Sequence, residues 1–187
     1  GNPRVITRLE GNIINTIHRK KAAFLYEEYF DKKFTHIDSM QPGQLAVLYP
    51  LGIYLEENRQ LLLRNVVDIL EDGSIVCQGS VPRGSEIHIM IGNKDSCKQA
   101  AFEAAIEAQQ HLLGKKAQLV IIIESMTRLK LLGKEADTER ARIQHVFVHD
   151  TPLFGLYSNG EICPLEGLGN IKKPYLQNES IVIVAIS

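Results

Sequence analysis

The 187-residue chain has no tryptophan, and phenylalanine and tyrosine make up only 6% of it, so aliphatic side chains must supply the core. Its three cysteines, Cys77, Cys97 and Cys163, are odd in number and widely spaced, with no signal-peptide pattern before them. That excludes a disulfide framework and indicates a reducing, cytoplasmic compartment. No apolar run approaches the roughly 18 residues of a spanning helix, so no membrane partner is expected. Charge of either sign is not in excess: 21 basic residues face 22 acidic ones for a net charge of -1. No global field therefore draws the chain to nucleic acid. The basic runs His18-Arg-Lys-Lys21 and Gly169-Asn-Ile-Lys-Lys173 lack the interleaved aromatics of a single-strand platform and read as solvated surface. Missing too are a P-loop, a GxGxxG, an HExxH, a GxSxG and any Cys/His cluster at zinc-ligand spacing.

What is present alternates between two periods. Val5 to Ile17 reads as two short strands around Glu10-Gly11, and the next stretch, through Ala22, Leu25, Tyr26, Tyr29 and Phe30, has helical spacing. Leu45 to Ile91 is β-patterned, with an Asp72-Gly73 turn, as in an antiparallel meander. Asp95 to Gly114 predicts a long helix, with a capping box from Ser96 to Gln99, His111 in the last turn and Gly114 as its stop. "QLVIIIE" is a buried strand, "SMTRLKLLG" begins a further helix, and "DTERARIQHVF" continues or follows it with Ile143, Val146 and Phe147 inward. "FGLYS", "EICPL" and "SIVIVAIS" return to β, the last apolar on both faces and so expected at a sheet centre. Asn159-Gly160 between apolar runs predicts a type I′ hairpin turn. The expected fold is α+β: an antiparallel-rich mixed sheet with three to four helices packed on it, residues 1–187 forming one domain. Because the first residue is Gly1 and not Met, the chain reads as a fragment of a longer one.

Chemistry-bearing residues are few. Cys97, in the first turn of the long helix, sits where a helix dipole lowers a thiol's pKa, but the favoured reading is a small half-buried residue beside a cap, because a catalytic thiol also needs a base. Cys77 and Cys163 lie in strand-like runs and read as core. His145 and His149, four apart, lack a third ligand, so neither a metal nor a cofactor is expected. The telling residues are polar groups within apolar strands, because burying them costs a few kcal/mol unless they find partners. Arg64 and Asn65 interrupt "LLLRNVVDI", where alternation allows at most one to face a given core. Glu124 and Ser125 end "VIIIES", and either explains itself as a helix cap; Arg128, three residues on, is open to an anion, to Glu161 or to solvent.

Taken in order, "LLLRNVVDILEDGSIVCQGSVPRGSEIHIMIG", "ESMTRLKLLG", "GLYSNGEI" and "QNESIVIV" resemble the FIST C domain (F-box and intracellular signal transduction) from about Val5 to Ser187. Its Arg-Asn pair is matched by Arg64 and Asn65, its Ser/Cys-to-Arg step by Ser125 and Arg128, and its "GEI" by Gly160, Glu161 and Ile162. Asn178 and Ser180 match its Asn-x-Ser/Thr step. Gly92 to Asp95 and Thr127 depart from the family pattern. The resemblance implies a bacterial, cytoplasmic, non-catalytic sensory domain that follows an N-terminal FIST domain and binds a small ligand, an amino acid among the candidates. The implied ligand-binding residues are Arg64, Asn65, Ser125, Arg128, Ser158, Gly160, Glu161 and Asn178, where arginine would suit a carboxylate and glutamate an ammonium. The alternative is a protein-interaction module that docks the N-terminal FIST domain or a second copy as a homodimer; a third is a thiol or serine hydrolase using Cys97 or Ser125.

Overall fold

The computed structural model describes residues 4–30, 47–55, 61–165 and 173–187. They fall into two compact units, one of residues 1–92 and 162–178, the other of 93–161 and 179–187.

The first unit is built on an antiparallel sheet of β1 (Arg4–Glu10), β2 (Ile13–Ile17), β3 (Lys20–Lys21), β4 (Leu51–Tyr54), β5 (Leu62–Arg64), β6 (Val66–Ile69), β7 (Ile75–Cys77) and β8 (Glu86–Ile89). The spatial order is β5-β4-β8-β1-β2-β7-β6, with β3 paired to β2. β5 and β6 lie at opposite ends of that order, yet only Asn65 separates them in the chain, so the sheet curls until its ends approach. The curl encloses Ile6, Ile14, Leu51, Ile53, Leu62, Ile75 and Ile87, all buried, with Tyr26 from α1 (Phe24–Phe30). Tyr26 takes its phenol inside by donating to the Tyr49 carbonyl (2.8 Å). β11 (Glu161–Leu165) and β12 (Lys173–Gln177) form a separate two-stranded ladder.

The second unit has a three-stranded mixed sheet, β10-β9-β13, made of β9 (Leu119–Ser125), β10 (Leu153–Ser158) and β13 (Ile181–Ile186). β10 runs parallel to β9 and β13 antiparallel to it. α2 (Lys94–Gln110), α3 (Met126–Leu132), a single 3-10 turn and α4 (Ala136–Val146) complete it. One face of the sheet carries Val120, Ile122, Ile181 and Ile183 against Ala101 and Ala105 of α2, Ile143 of α4 and Phe147 just after it. The alanines are what let α2 approach so closely.

The α+β class agrees with the sequence reading and the helix number roughly does, but among the described residues three sheets replace the single mixed one. β13 is an edge strand and β9 the centre, which corrects the placement drawn from β13's apolar faces. α2 is capped three residues earlier than expected, by Asn93, whose Oδ1 accepts from the N–H groups of Asp95 and Ser96. Asn159-Gly160 makes no hairpin: β10 and β11 belong to different sheets, and neither residue has the positive φ of a type I′ turn. That conformation occurs at His18 and Arg19 (φ 49° and 62°) between β2 and β3, where the Arg19 N–H donates to Thr7 Oγ1 (3.0 Å). A side-chain acceptor there stabilises a turn that propensity alone disfavours.

Candidate functional site

The residues singled out in the sequence fall into two groups, one in each unit. Arg64, Asn65 and Asn178 form the first, all buried. Arg64 Nε donates to the Ser80 carbonyl (2.8 Å), and its Nη1 to the carbonyls of Leu63 (2.9 Å) and Leu176 (2.8 Å). Burial lowers its pKa, with the nearby Cys77 sulfur acting the other way. Gly79, at φ +123°, leaves the guanidinium room, since a Cβ there would lie 3.3 Å from Nε. The Asn65 N–H donates to Asn178 Oδ1 (3.1 Å), and Asn65 Nδ2 to Gln78 Oε1 (3.1 Å). Both Arg64 and Asn65 turn inward, against the alternation argument, because β5 ends at Arg64 and Asn65 lies in the break before β6. Cys77 is core as expected, its thiol pushed up to about 12 by burial. Cys163 is half-buried and accepts from Gln177 Nε2 (3.0 Å).

The second group gathers where the parallel strands β9 and β10 end. Ser125 and Ser158 are register partners there, and the Ser125 N–H donates to the Ser180 carbonyl (3.0 Å). Buried Glu161 accepts from the hydroxyls of Ser158 (2.5 Å) and Ser180 (2.7 Å). Gly160 immediately precedes it. Ser125 stands at the N-cap of α3 without capping it; its Oγ shares a hydrogen with Thr127 Oγ1 (2.8 Å).

Arg128 goes elsewhere than to Glu161 or solvent. It is buried and paired with Glu139 and with Glu124 (Nε to Oε1, 3.3 Å), and it donates to the Cys97 carbonyl (2.9 Å). Glu124 is pushed up to about 8 by burial and by its hydrogen bond to and repulsion from Glu139, so it holds a proton at neutral pH. Glu179 is likewise raised to about 8 by burial, with Arg128 pulling the other way; its Oε1 is buried with no hydrogen-bond partner and its φ is +61°. Burial also raises the Cys97 thiol, overturning the reading of a dipole-activated thiolate. Sequence reasoning missed Glu139 and Glu179. Glu139 was legible: it lies four residues before Ile143, on the stripe already assigned inward.

Beside this cluster a cleft of about 190 Å³ opens between α4 and the sheet. Ile122, Ile143 and Leu153 make its apolar wall, and Glu124, Tyr157 and Arg140 bring polar groups to it. Tyr157 has its pKa raised by burial and by Glu124. The opposite face of the same sheet carries Ile121, Ile123, Phe154, Leu156, Val182 and Val184, none of which belongs to either hydrophobic core. Among the described residues, no group of three or more His, Cys, Asp or Glu could hold a metal, and no helix is long and apolar enough to cross a membrane.

Comparison with known proteins returns one family: the family model of the FIST C domain matches residues 22–164. No curated protein and no solved structure matches the chain.

Proposed function

The chain belongs to the FIST C domain family, sensory domains of signal transduction, and from that premise we propose that it is non-catalytic and holds a small ligand in the cleft between α4 and the β9–β10 face. The observation that carries this reading is Glu124: a buried carboxyl beside Arg128 and Glu139, its pKa raised by burial and by Glu139, at the end of a parallel strand pair, with the cleft opening onto it. Strand ends of this kind are where open parallel sheets place ligands, an analogy of architecture only. At about 190 Å³ the cleft is smaller than the 300–1,000 Å³ typical of drug-sized ligands, and suits a molecule the size of an amino acid. Arg140, largely exposed and 3.5 Å from Asp137, is placed to meet a carboxylate, and Glu124 offers a neutral carboxyl for a hydrogen bond to the ligand's amino end. A non-catalytic role is supported by the raised Cys97 thiol and by a Ser125 hydroxyl engaged with Thr127. In the first unit Arg64 is engaged with backbone carbonyls, so its part is to hold the fold.

The test is a thermal-shift screen of amino acids and related metabolites on the parent and on Ala136→Trp, which fills the cleft from α4. The parent is stabilised by about 2.7 kcal/mol at a hundredfold excess over the dissociation constant, and the filled variant is not. A panel with no hit, or a shift that survives Ala136→Trp, sinks the reading.

A further inference from the structure

β10 is an edge strand that carries none of the usual protection. Among the described residues it pairs with β9 alone, and its six residues, Leu153–Ser158, include no charge and no proline. Natural edges are commonly blunted by lysine, proline, bulges or short length, so an unguarded apolar edge is a place for another strand. Its side chains agree: Phe154 is 60% and Leu156 46% exposed, on the sheet face that neither core uses.

The ladder shows which backbone groups are open. The Val120 N–H donates to the Pro152 carbonyl (2.9 Å), and Leu153 is the register partner of Val120. In a parallel pair the residues flanking a register partner make the bonds, so Phe154 and Leu156 bond toward β9. Leu153, Gly155 and Tyr157 therefore turn their N–H and C=O groups outward.

We propose that this edge is a self-association site, where β10 of a second copy adds antiparallel about a two-fold axis through Gly155. A strand pairing with itself antiparallel is self-complementary, so the contact closes as a dimer. Centred on Gly155, Leu153 meets Tyr157 of the second copy and Gly155 meets Gly155, each pair exchanging N–H···O=C bonds between groups that are open. Phe154 then stands opposite Leu156 of the second copy at the closely spaced, non-hydrogen-bonded position, on the apolar face. Centring on Phe154 or on Leu156 instead leaves Tyr157 or Leu153 without a strand partner. Gly155 brings no side chain to the axis on the side where α4 packs. Two three-stranded sheets become one continuous sheet, with the apolar faces joined.

The test is sedimentation equilibrium of the parent chain at high micromolar concentration, with Phe154→Glu and Leu156→Glu alongside. The parent sediments at about twice its 21.0 kDa. Each variant raises the dimer dissociation constant by about a hundredfold while keeping the parent's circular dichroism. Register is read in chains whose Cys97 and Cys163 are serine. Phe154→Cys mixed with Leu156→Cys forms a disulfide-linked dimer on mild oxidation, and neither chain does so alone. A monomeric parent, a dimer indifferent to both glutamates, cross-linking equally fast within each single-cysteine chain, or association only with an N-terminal FIST domain overturns the proposal.

Discussion

Arg64 and Arg128 are both buried arginines that interrupt apolar sequence, and the two units treat them in opposite ways. Arg64 gives its protons to the backbone carbonyls of Ser80, Leu63 and Leu176, neutral acceptors that satisfy its donors without balancing its charge. Burial accordingly lowers its pKa. Burial also opposes the charge of Arg128, but the Cys97 sulfur and the carboxyls of Glu139 and Glu124 outweigh it, and the pKa rises. The first arrangement has one protonation state and works as a clamp on three chain segments. The second is paired with Glu124, whose carboxyl pKa is raised to about 8, so the state of that pair depends on pH. The same residue type thus meets neutral carbonyls in one unit and carboxyls in the other.

The hardest blow to this contrast is Arg128→Met. It strands Glu139 and Glu124 in the interior, and urea unfolding at pH 8 shows a loss of about 3–5 kcal/mol. At pH 5, where Glu124 is protonated in the folded parent and the folded variant alike, the loss shrinks; a loss equal at both pH values breaks the distinction. Arg64→Met costs about 2–3 kcal/mol by leaving carbonyls without donors, and that cost is flat from pH 5 to 8. Glu179→Gln acts in the other direction. A carboxyl raised to about 8 when folded, against about 4.3 unfolded, binds more protons in the native state between those values. Stability from this group is therefore full below about pH 4 and is lost as pH rises toward 8. Replacing it with glutamine gains on the order of 2 kcal/mol at pH 8, with little change at pH 4, in paired thermal melts. A variant no more stable than the parent at pH 8 refutes the buried, protonated placement.

Local pattern carried much of this into view. The antiparallel strands between Leu51 and Ile89, the Asp72-Gly73 turn, the alanine-rich helix and the inward stripe of α4 follow from period and turn chemistry, which act over a few residues. The expected meander does not form, because β6 pairs with β7 at the far end of the sheet from β5, and β8 pairs with β4 and β1. Misreadings came where a distant partner overrode a local preference. Asn159-Gly160 is a strong turn dipeptide, but β10 is committed to β9 and β11 to β12, so no hairpin forms. His18-Arg19 is a weak one, and Thr7, on the neighbouring strand, supplies the acceptor that makes it work. Of the site, Arg64, Asn65, Glu124, Ser125, Arg128 and Glu161 were recognisable as polar interruptions of apolar sequence, but the burial of Arg128 was not, since solvent was open to it on local pattern alone. Nor was the identity of their partners.

By itself the sequence determined the α+β class, the order of its elements and the FIST C family, because hydrophobic period and recurring short motifs are properties of neighbouring residues. Only the tertiary structure decided that Arg128 meets Glu139 while Arg64 meets carbonyls, that Cys97 is desolvated, and that β10 is an open edge. Each of these depends on which strands and helices come to lie side by side. Burial and Coulomb attraction act through space, and separation along the chain does not measure them.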